Sequence, residues 1–244
     1  MTTSPARIAL VTGATRGIGL ETVRQLARAG VHTLLAGRDR SRAVEAALTL
    51  QAEGLPVEAI ALDVTDAASI AAAVEAVESR HGQLDILVNN AGILRDDLEQ
   101  PASQQSLQTW RETFDTNLFG VVAVTQAFLP LLRAAPAARI VNLSSSLASL
   151  ALHNDPASPI YDFKPPAYDA SKSALNAWTV HLAYELRDTP VKVNAIDPGS
   201  VRTGMNAHGE LDAAAGARGS VAAALLDAAG PSGTFSHMGK TLPW

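Results

Sequence analysis

The chain has 244 residues, 47% of them hydrophobic, and a formal net charge of −5. That is ample apolar material for a core, and acids and bases are interspersed, so nothing marks a nucleic-acid partner or a polybasic membrane signal. Cysteine is absent, which excludes disulfides and thiolate metal sites; the apolar run at the amino terminus is too short for a secretory signal or a membrane span, so the expectation is a cytoplasmic protein without a membrane partner.

Short apolar runs alternate with helical patterns along the chain. "RIALVTG" (7–13) reads as a buried strand, and Gly17 to Gly30 follows a helical period. "VHTLLAG" (31–37) is a second strand, followed by an alanine-rich helix to about Glu53. "PVEAIALDV" (56–64) is a third, followed by a helix over 67–81, and "LDILVNN" (84–90) a fourth. A long helical region, 105–134, precedes "ARIVNLSSS" (138–146); another helix runs from Ala167 to Arg187 before "VKVNAIDPG" (191–199). "TFS" (234–236) reads as a last short strand. Continuous apolar strands bounded by helices predict an α/β fold with a doubly wound parallel sheet and helices on both faces. No linker divides the chain, so a single domain over 1–244 is expected. Two stretches break the alternation. Residues 147–166 hold four prolines, and 200–217 are rich in Gly and Ala. Both follow strands at the carboxyl end, where ligands bind in such sheets, so both are expected to be substrate loops.

The turn "TGATRGIG" (12–19) joins the first strand to the first helix. Gly13 permits a tight turn, Gly17 a close approach of backbone to phosphate, and Gly19 close helix–strand packing; exposed N–H groups and the helix dipole then favour a pyrophosphate. The glycine spacing differs from the commonest dinucleotide fingerprint, and turn chemistry alone would also explain it. The end of the second strand selects the cofactor. Arg38, with Arg16 as a second side, suits the 2′-phosphate of NADP, whereas Asp39 one residue on would suit the ribose of NAD. NADPH is the expected cofactor. Asp63 is placed to accept from an adenine amino group, or else caps the next helix, for which Asp66 is the better residue. "NNAG" (89–92) suits a backbone passing under a flat cofactor, or an Asx turn.

"TGATRGIG", "NNAG", "YDASK" and "DPGSVRT", in this order and spacing, resemble the short-chain dehydrogenase/reductase family across essentially the whole chain. The resemblance implies a single-domain Rossmann-like fold, a nicotinamide cofactor and reversible carbonyl/alcohol chemistry on a small molecule. It implies a catalytic set of Asn117, Ser145, Tyr168 and Lys172, the serine triplet 144–146 leaving Ser145 chosen by alignment. Thr15 and Ile18 join the glycine turn as implied cofactor contacts, Val64 joins Asp63, and Asn90, Ala91 and Gly92 line the fourth strand's end. Pro198, Gly199, Val201 and Thr203 are implied to bend over the nicotinamide. Tyr168 alone of the three tyrosines has a lysine at i+4, on the same helical face. A free phenol near pKa 10 is a poor acid–base group at neutrality, and the Lys172 cation is expected to lower it. Lys172 would also hold the nicotinamide ribose, Ser145 orient the carbonyl oxygen, and Asn117 hold a water leading to solvent. The segment between Ser145 and Tyr168 is longer than in the simplest relatives, which resembles the carbonyl-reductase-like members. It is expected to form a small helix or flap. His153, His208 and His237 are read as loop residues; no metal is expected. Leu147, Leu150, Phe163 and Met205 read as a hydrophobic pocket or as core. The leading reading is an NADPH-dependent carbonyl reductase. An NAD-dependent alcohol dehydrogenase, a reductase of carrier-bound 3-oxoacyl chains, and a dinucleotide-sensing regulatory protein are the alternatives.

Overall fold

The computed structural model describes residues 6–244. Seven parallel strands and one antiparallel edge strand form a sheet in the order β3-β2-β1-β4-β5-β6-β7-β8. The strands are β1 (Ile8–Val11), β2 (His32–Gly37), β3 (Val57–Ala61), β4 (Ile86–Asn89), β5 (Arg139–Leu143), β6 (Lys192–Asp197), β7 (Phe235–His237) and β8 (Lys240–Thr241). Between them run α1 (Gly17–Arg28), α2 (Arg40–Ala52), α3 (Ala67–His81), α4 (Leu107–Phe114), α5 (Gly120–Ala134), α6 (Leu150–His153), α7 (Pro166–Glu185) and α8 (Ala213–Ala224).

The apolar strands are buried on both faces, as a parallel sheet requires. Ala9 and Val11 of β1 pack with Val23, Leu26, Leu50 and Ala224 on one side, while Leu10 between them packs with Leu87, Val124 and Phe128 on the other. Helices α1, α2 and α8 cover the first face; α3, α5 and α7 cover the second. The run Leu107–Ala134 is long and apolar enough to cross a membrane by length and composition. Its Val124, Phe128 and Leu132 are fully buried against the sheet.

Several elements depart from the expectation. The helical region at 105–134 is interrupted by one π-turn, Asp115–Phe119, between α4 and α5. The expected loop 200–217 gives way to α8 from Ala213. The segment "AAAGARGSVAAA" carries no broad apolar stripe, but it packs on small residues: a Cβ on Gly216 would lie 2.5 Å from Val201, and one on Gly219 2.8 Å from Ile196. β8 was not foreseen, and His237 lies on β7 rather than in a loop. Between Ser145 and Tyr168, where a small helix or flap is expected, the chain forms a 3-10 turn at Ser146–Ala148, the short helix α6 and a series of turns before α7.

Candidate functional site

The strand order reverses between β1 and β4, both of which end at the glycine turn's level. This is the switch point where doubly wound sheets take ligands. Gly13 and Gly17 have φ of 62° and 58°, a conformation that favours glycine. A Cβ on Gly13 would lie 2.8 Å from Ala91 Cα, and one on Gly19 2.4 Å from Asn90 Nδ2, so the turn and the end of β4 press together. Thr12, which sequence reading passed over, fastens them: its Oγ1 accepts from the amides of Asn90 and Ala91, both at 3.0 Å. Asn90 Nδ2 returns a bond to Thr12 O at 2.7 Å. Arg16 stands at the start of α1 without capping it, and Ile18 follows in the first turn. Thr15 Cγ2 would lie 2.5 Å from a Cβ on Gly37, closing the turn against the end of β2.

Tyr168 and Lys172 are buried on α7. Ser145 stands close enough to the Tyr168 phenol to draw its pKa down. Lys172 Nζ donates to Leu143 O at 2.7 Å and stands 5.7 Å from the centre of the Tyr168 ring. Of the serine triplet, Ser144 is turned away, its Oγ donating to Asn176 Oδ1 at 2.7 Å; Ser145 is the residue that meets the phenol. Asn117 sits in the π-turn, fully buried. Its Oδ1 accepts from Ile93 N at 2.8 Å, and its Nδ2 donates to Ile93 O and Ser171 Oγ. A Cβ on Gly92 would lie 3.4 Å from Asn117 Oδ1 and 3.5 Å from Lys172 Nζ, so glycine leaves open the space in front of both.

Burial raises the Tyr168 pKa above its ordinary value, Ser145 pulling it back and Asp197 and Asp169 adding to the rise. Burial also pushes Lys172 down to about 8, and its Nζ is held by the Leu143 carbonyl at 2.7 Å.

Two acids that sequence reading did not single out position α7 and its surroundings. The helix begins after Pro165 without a side-chain cap of its own, and Pro166 supplies a suitable first residue. Asp96, from the loop after β4, caps it: Oδ1 accepts from Ala167 N at 2.7 Å and Oδ2 from Tyr168 N at 3.1 Å. Asp197 closes β6 and accepts from the amides of Gly199 and Ser146, tying the two loops beside the phenol. Beside it, Asp169 Oδ2 lies 3.1 Å from His153 Nε2. That nitrogen is also 2.9 Å from Leu147 O, while Nδ1 is 2.9 Å from Lys164 Nζ, so Nε2 carries the proton and Nδ1 accepts. Burial lowers the His153 pKa and raises that of Asp169 to about 8, which disfavours an ion pair between them. In the sequence these acids stand in "LRDD", "YDASK" and "DPGSVRT", where nothing marks which carboxylate turns inward.

Arg38 is exposed at the end of β2, beside Asp39. Asp39 caps α2, accepting from Arg42 N at 3.1 Å, with the Arg42 side chain 3.5 Å away. Arg16 lies beside Gly204 across the opening, 3.5 Å from the position of a Cβ there. Asp63 Oδ1 accepts from the amide and hydroxyl of Thr65, and Asp66 is the residue that caps α3. Val64 is buried beneath Gly120. After Pro198, Gly199 turns at φ 80°. Val201 bridges to Leu211 through Ser200 and Arg202, so its own amide faces away from that pairing. Thr203 Oγ1 accepts from Met205 N, and its Cγ2 would lie 3.6 Å from a Cβ on Gly17, so this loop reaches the glycine turn. Leu150, Phe163 and Met205 are exposed, which removes the core alternative for these three; Leu147 is half-buried.

A doubly wound sheet with a glycine turn at its switch point, and a tyrosine, serine and lysine beyond β5, defines a class of dinucleotide-binding oxidoreductases. The short chain dehydrogenase family profile matches residues 7–213. (+)-Neomenthol dehydrogenase of Capsicum annuum is 32% identical, with 96% of each chain covered. Among solved structures, NADPH-bound carbonyl reductase from chicken fatty liver superimposes with a TM-score of 0.85 at 30% identity, over 98% of this chain and 99% of that one. Salutaridine reductase from Papaver somniferum gives 0.82 at 31%, over 94% and 99%. The chain belongs to the short-chain dehydrogenase/reductase family. It is therefore a ketone/alcohol oxidoreductase that acts on a small molecule with a nicotinamide dinucleotide.

Proposed function

We propose that this chain is an NADPH-dependent carbonyl reductase, reducing a ketone or aldehyde to the alcohol. The observation that carries this reading is the buried Tyr168 with Ser145 at its phenol and Lys172 Nζ 5.7 Å from its ring centre.

The residues fit a dinucleotide. The glycine turn approaches the end of β4 too closely for side chains at Gly13 and Gly19, the α1 terminus has no side-chain cap, and Gly92 leaves the space before Lys172 free. Gly13, Gly17, Gly19 and the α1 terminus would hold the pyrophosphate; Asn90, Ala91 and Gly92 would flank the ribose on the reacting side, and the loop from Pro198 through Val201 to Thr203 the carboxamide. When bound, the reduced nicotinamide supplies the hydride. Tyr168 keeps its proton because burial raises its pKa, which suits a donor in the reductive direction: the oxygen left after reduction is a far stronger base than a phenolate. Ser145 orients that oxygen against the phenol. Lys172 holds the ribose hydroxyls and, through its placement beneath the ring, limits the charge left behind when Tyr168 gives up its proton. Asn117 acts on the path by which Tyr168 regains a proton, through its place between Ile93 and Ser171.

NADPH over NADH rests on Arg38 and Arg16. Asp39, the residue that would favour NADH, is engaged as the α2 cap. NADPH-bound relatives such as the chicken carbonyl reductase support the choice. A panel of ketones and aldehydes, followed by loss of NADPH or NADH absorbance, tests the reading, together with Arg38→Asp. A bidentate arginine–phosphate contact is strong, so this variant should lose most of its preference for NADPH. Native protein that already prefers NADH would refute the cofactor choice; cofactor binding without turnover of any carbonyl would favour the dinucleotide-sensing alternative.

A further inference from the structure

A second cluster of functional side chains lies at the other end of the sheet, where the strands begin. His32 opens β2, Glu58 lies on the neighbouring β3, and His81 closes α3. One ligand-type atom from each stands within 4.8 Å of those of the other two, and all three residues are half-buried. His32 Nε2 is 2.9 Å from Glu58 Oε1. The two imidazole rings are tilted at 50° with centres 5.4 Å apart. Despite these approaches, Nε2 of His32 and Nε2 of His81 are both buried without a hydrogen-bond partner. A buried polar nitrogen with no partner is costly, and two of them turned to one carboxylate are unusual as packing.

We propose that His32, Glu58 and His81 bind a divalent transition metal of the zinc, cobalt or nickel type. Two imidazoles and one carboxylate suit these borderline ions, whereas magnesium and calcium take oxygen ligands. Ligand atoms around a tetrahedral zinc are about 3.4 Å apart, given bonds of about 2.1 Å. The ligand-type atoms stand within 4.8 Å of one another, so closing the site would require the Glu58 side chain to rotate inward. Its second oxygen, Oε2, already has Arg80 Nη1 at 3.3 Å, a partner that orients the carboxylate from outside. Three protein ligands leave one position for water. The site is on the opposite edge from Tyr168, so the ion would join β2, β3 and α3 rather than act on the carbonyl. The expectation of no metal considered His153, His208 and His237; these three ligands come from separate elements and have no spacing that a sequence reveals.

The test uses tag-free, chelator-stripped full-length protein titrated with Zn2+ alone. One equivalent should bind and raise the melting temperature, and Co2+ should give visible bands of a low-coordinate nitrogen/oxygen site. His32→Ala and His81→Ala should each weaken zinc by at least about tenfold. His208→Ala should not change it. Carbonyl reduction should be equal with and without zinc. No stoichiometric binding, or binding that survives both alanine variants, overturns the proposal. If an alanine variant fails to fold by circular dichroism, native protein lacking the cobalt bands overturns it equally.

Discussion

Tyr168 is the residue on which the proposed chemistry turns, and its environment differs from a simple tyrosine–lysine pair. Ser145 draws its pKa down against the rise that burial causes. Removing the phenol oxygen in Tyr168→Phe keeps the ring and its packing, so NADPH affinity should be unchanged while turnover falls by about 10²–10⁴-fold. Fluorescence titration and steady-state rates on the same preparation check both halves; native-rate reduction by this variant would defeat the mechanism. Its neighbour Asp169 makes a pH-dependent contribution. Burial, and then Asp96, hold the Asp169 carboxyl up to about 8, whereas in the unfolded chain it ionises near 4. Between those values the native state binds more protons than the unfolded one, so this group makes stability fall as pH rises through that window. Asp169→Asn should flatten the dependence of melting temperature on pH between about 4 and 8, and should gain on the native protein most near pH 8. A parallel pair of melting curves across that range would exclude this role.

At the level of elements, α7 is held by a residue far from it in sequence. Asp96→Ala removes both acceptors from the Ala167 and Tyr168 amides, so the helix start should fray. Loss of such a cap is worth about 1 kcal/mol. The expected readings are a lower urea midpoint with unchanged slope and a reduced kcat with a near-native NADPH affinity. Asn, which keeps one acceptor, should recover part of both; equal damage from Asn and Ala would point away from capping. The helices and strands readable in the sequence were those with a strong pattern: apolar runs for β1 to β6, and a capping Asp66 before α3. Two others were not readable for physical reasons. The π-turn at Asp115–Phe119 exists because Asn117 is drawn to the Ile93 backbone, a tertiary contact inside a segment that is helical by every local measure. α8 is specified by close packing of small residues against Val201 and Ile196, which hydropathy does not register.

For the molecule as a whole, the sheet order brings the glycine turn and the end of β4 together, and the loops after β5 and β6 are the ones proposed to receive the substrate. Residues Asn154 to Phe163 carry Tyr161 and Phe163, both partly exposed, and connect α6 to α7 mainly through turns. Shortening this stretch should change which carbonyl compounds are accepted, with NADPH affinity within about threefold of native. The same substrate panel, paired with cofactor titration, decides it, and a large loss of NADPH binding in a folded variant would count against a substrate role. The glycine turn, Tyr168 and Lys172 were legible because each sits in a motif with fixed spacing. Thr12, Asp96 and Asp197 were not, because each works by reaching the backbone of a segment remote in sequence, and a lone Thr or Asp beside a strand gives no sign of which backbone it will meet.

The position of β1 in the sheet also has a consequence in time. Its neighbours are β2, which follows almost at once, and β4, which comes only after two further strand–helix units. While the chain is being synthesised, the β4-facing edge of "IALV" has no partner until Ile86–Asn89 leaves the ribosome. That nascent intermediate is a short sheet, β3-β2-β1, ending in an uncharged, wholly apolar strand with unpaired backbone groups, the kind of edge that recruits other chains. Translation that stalls before β4 should therefore yield aggregating fragments, whereas a stall just beyond it should yield a protected edge.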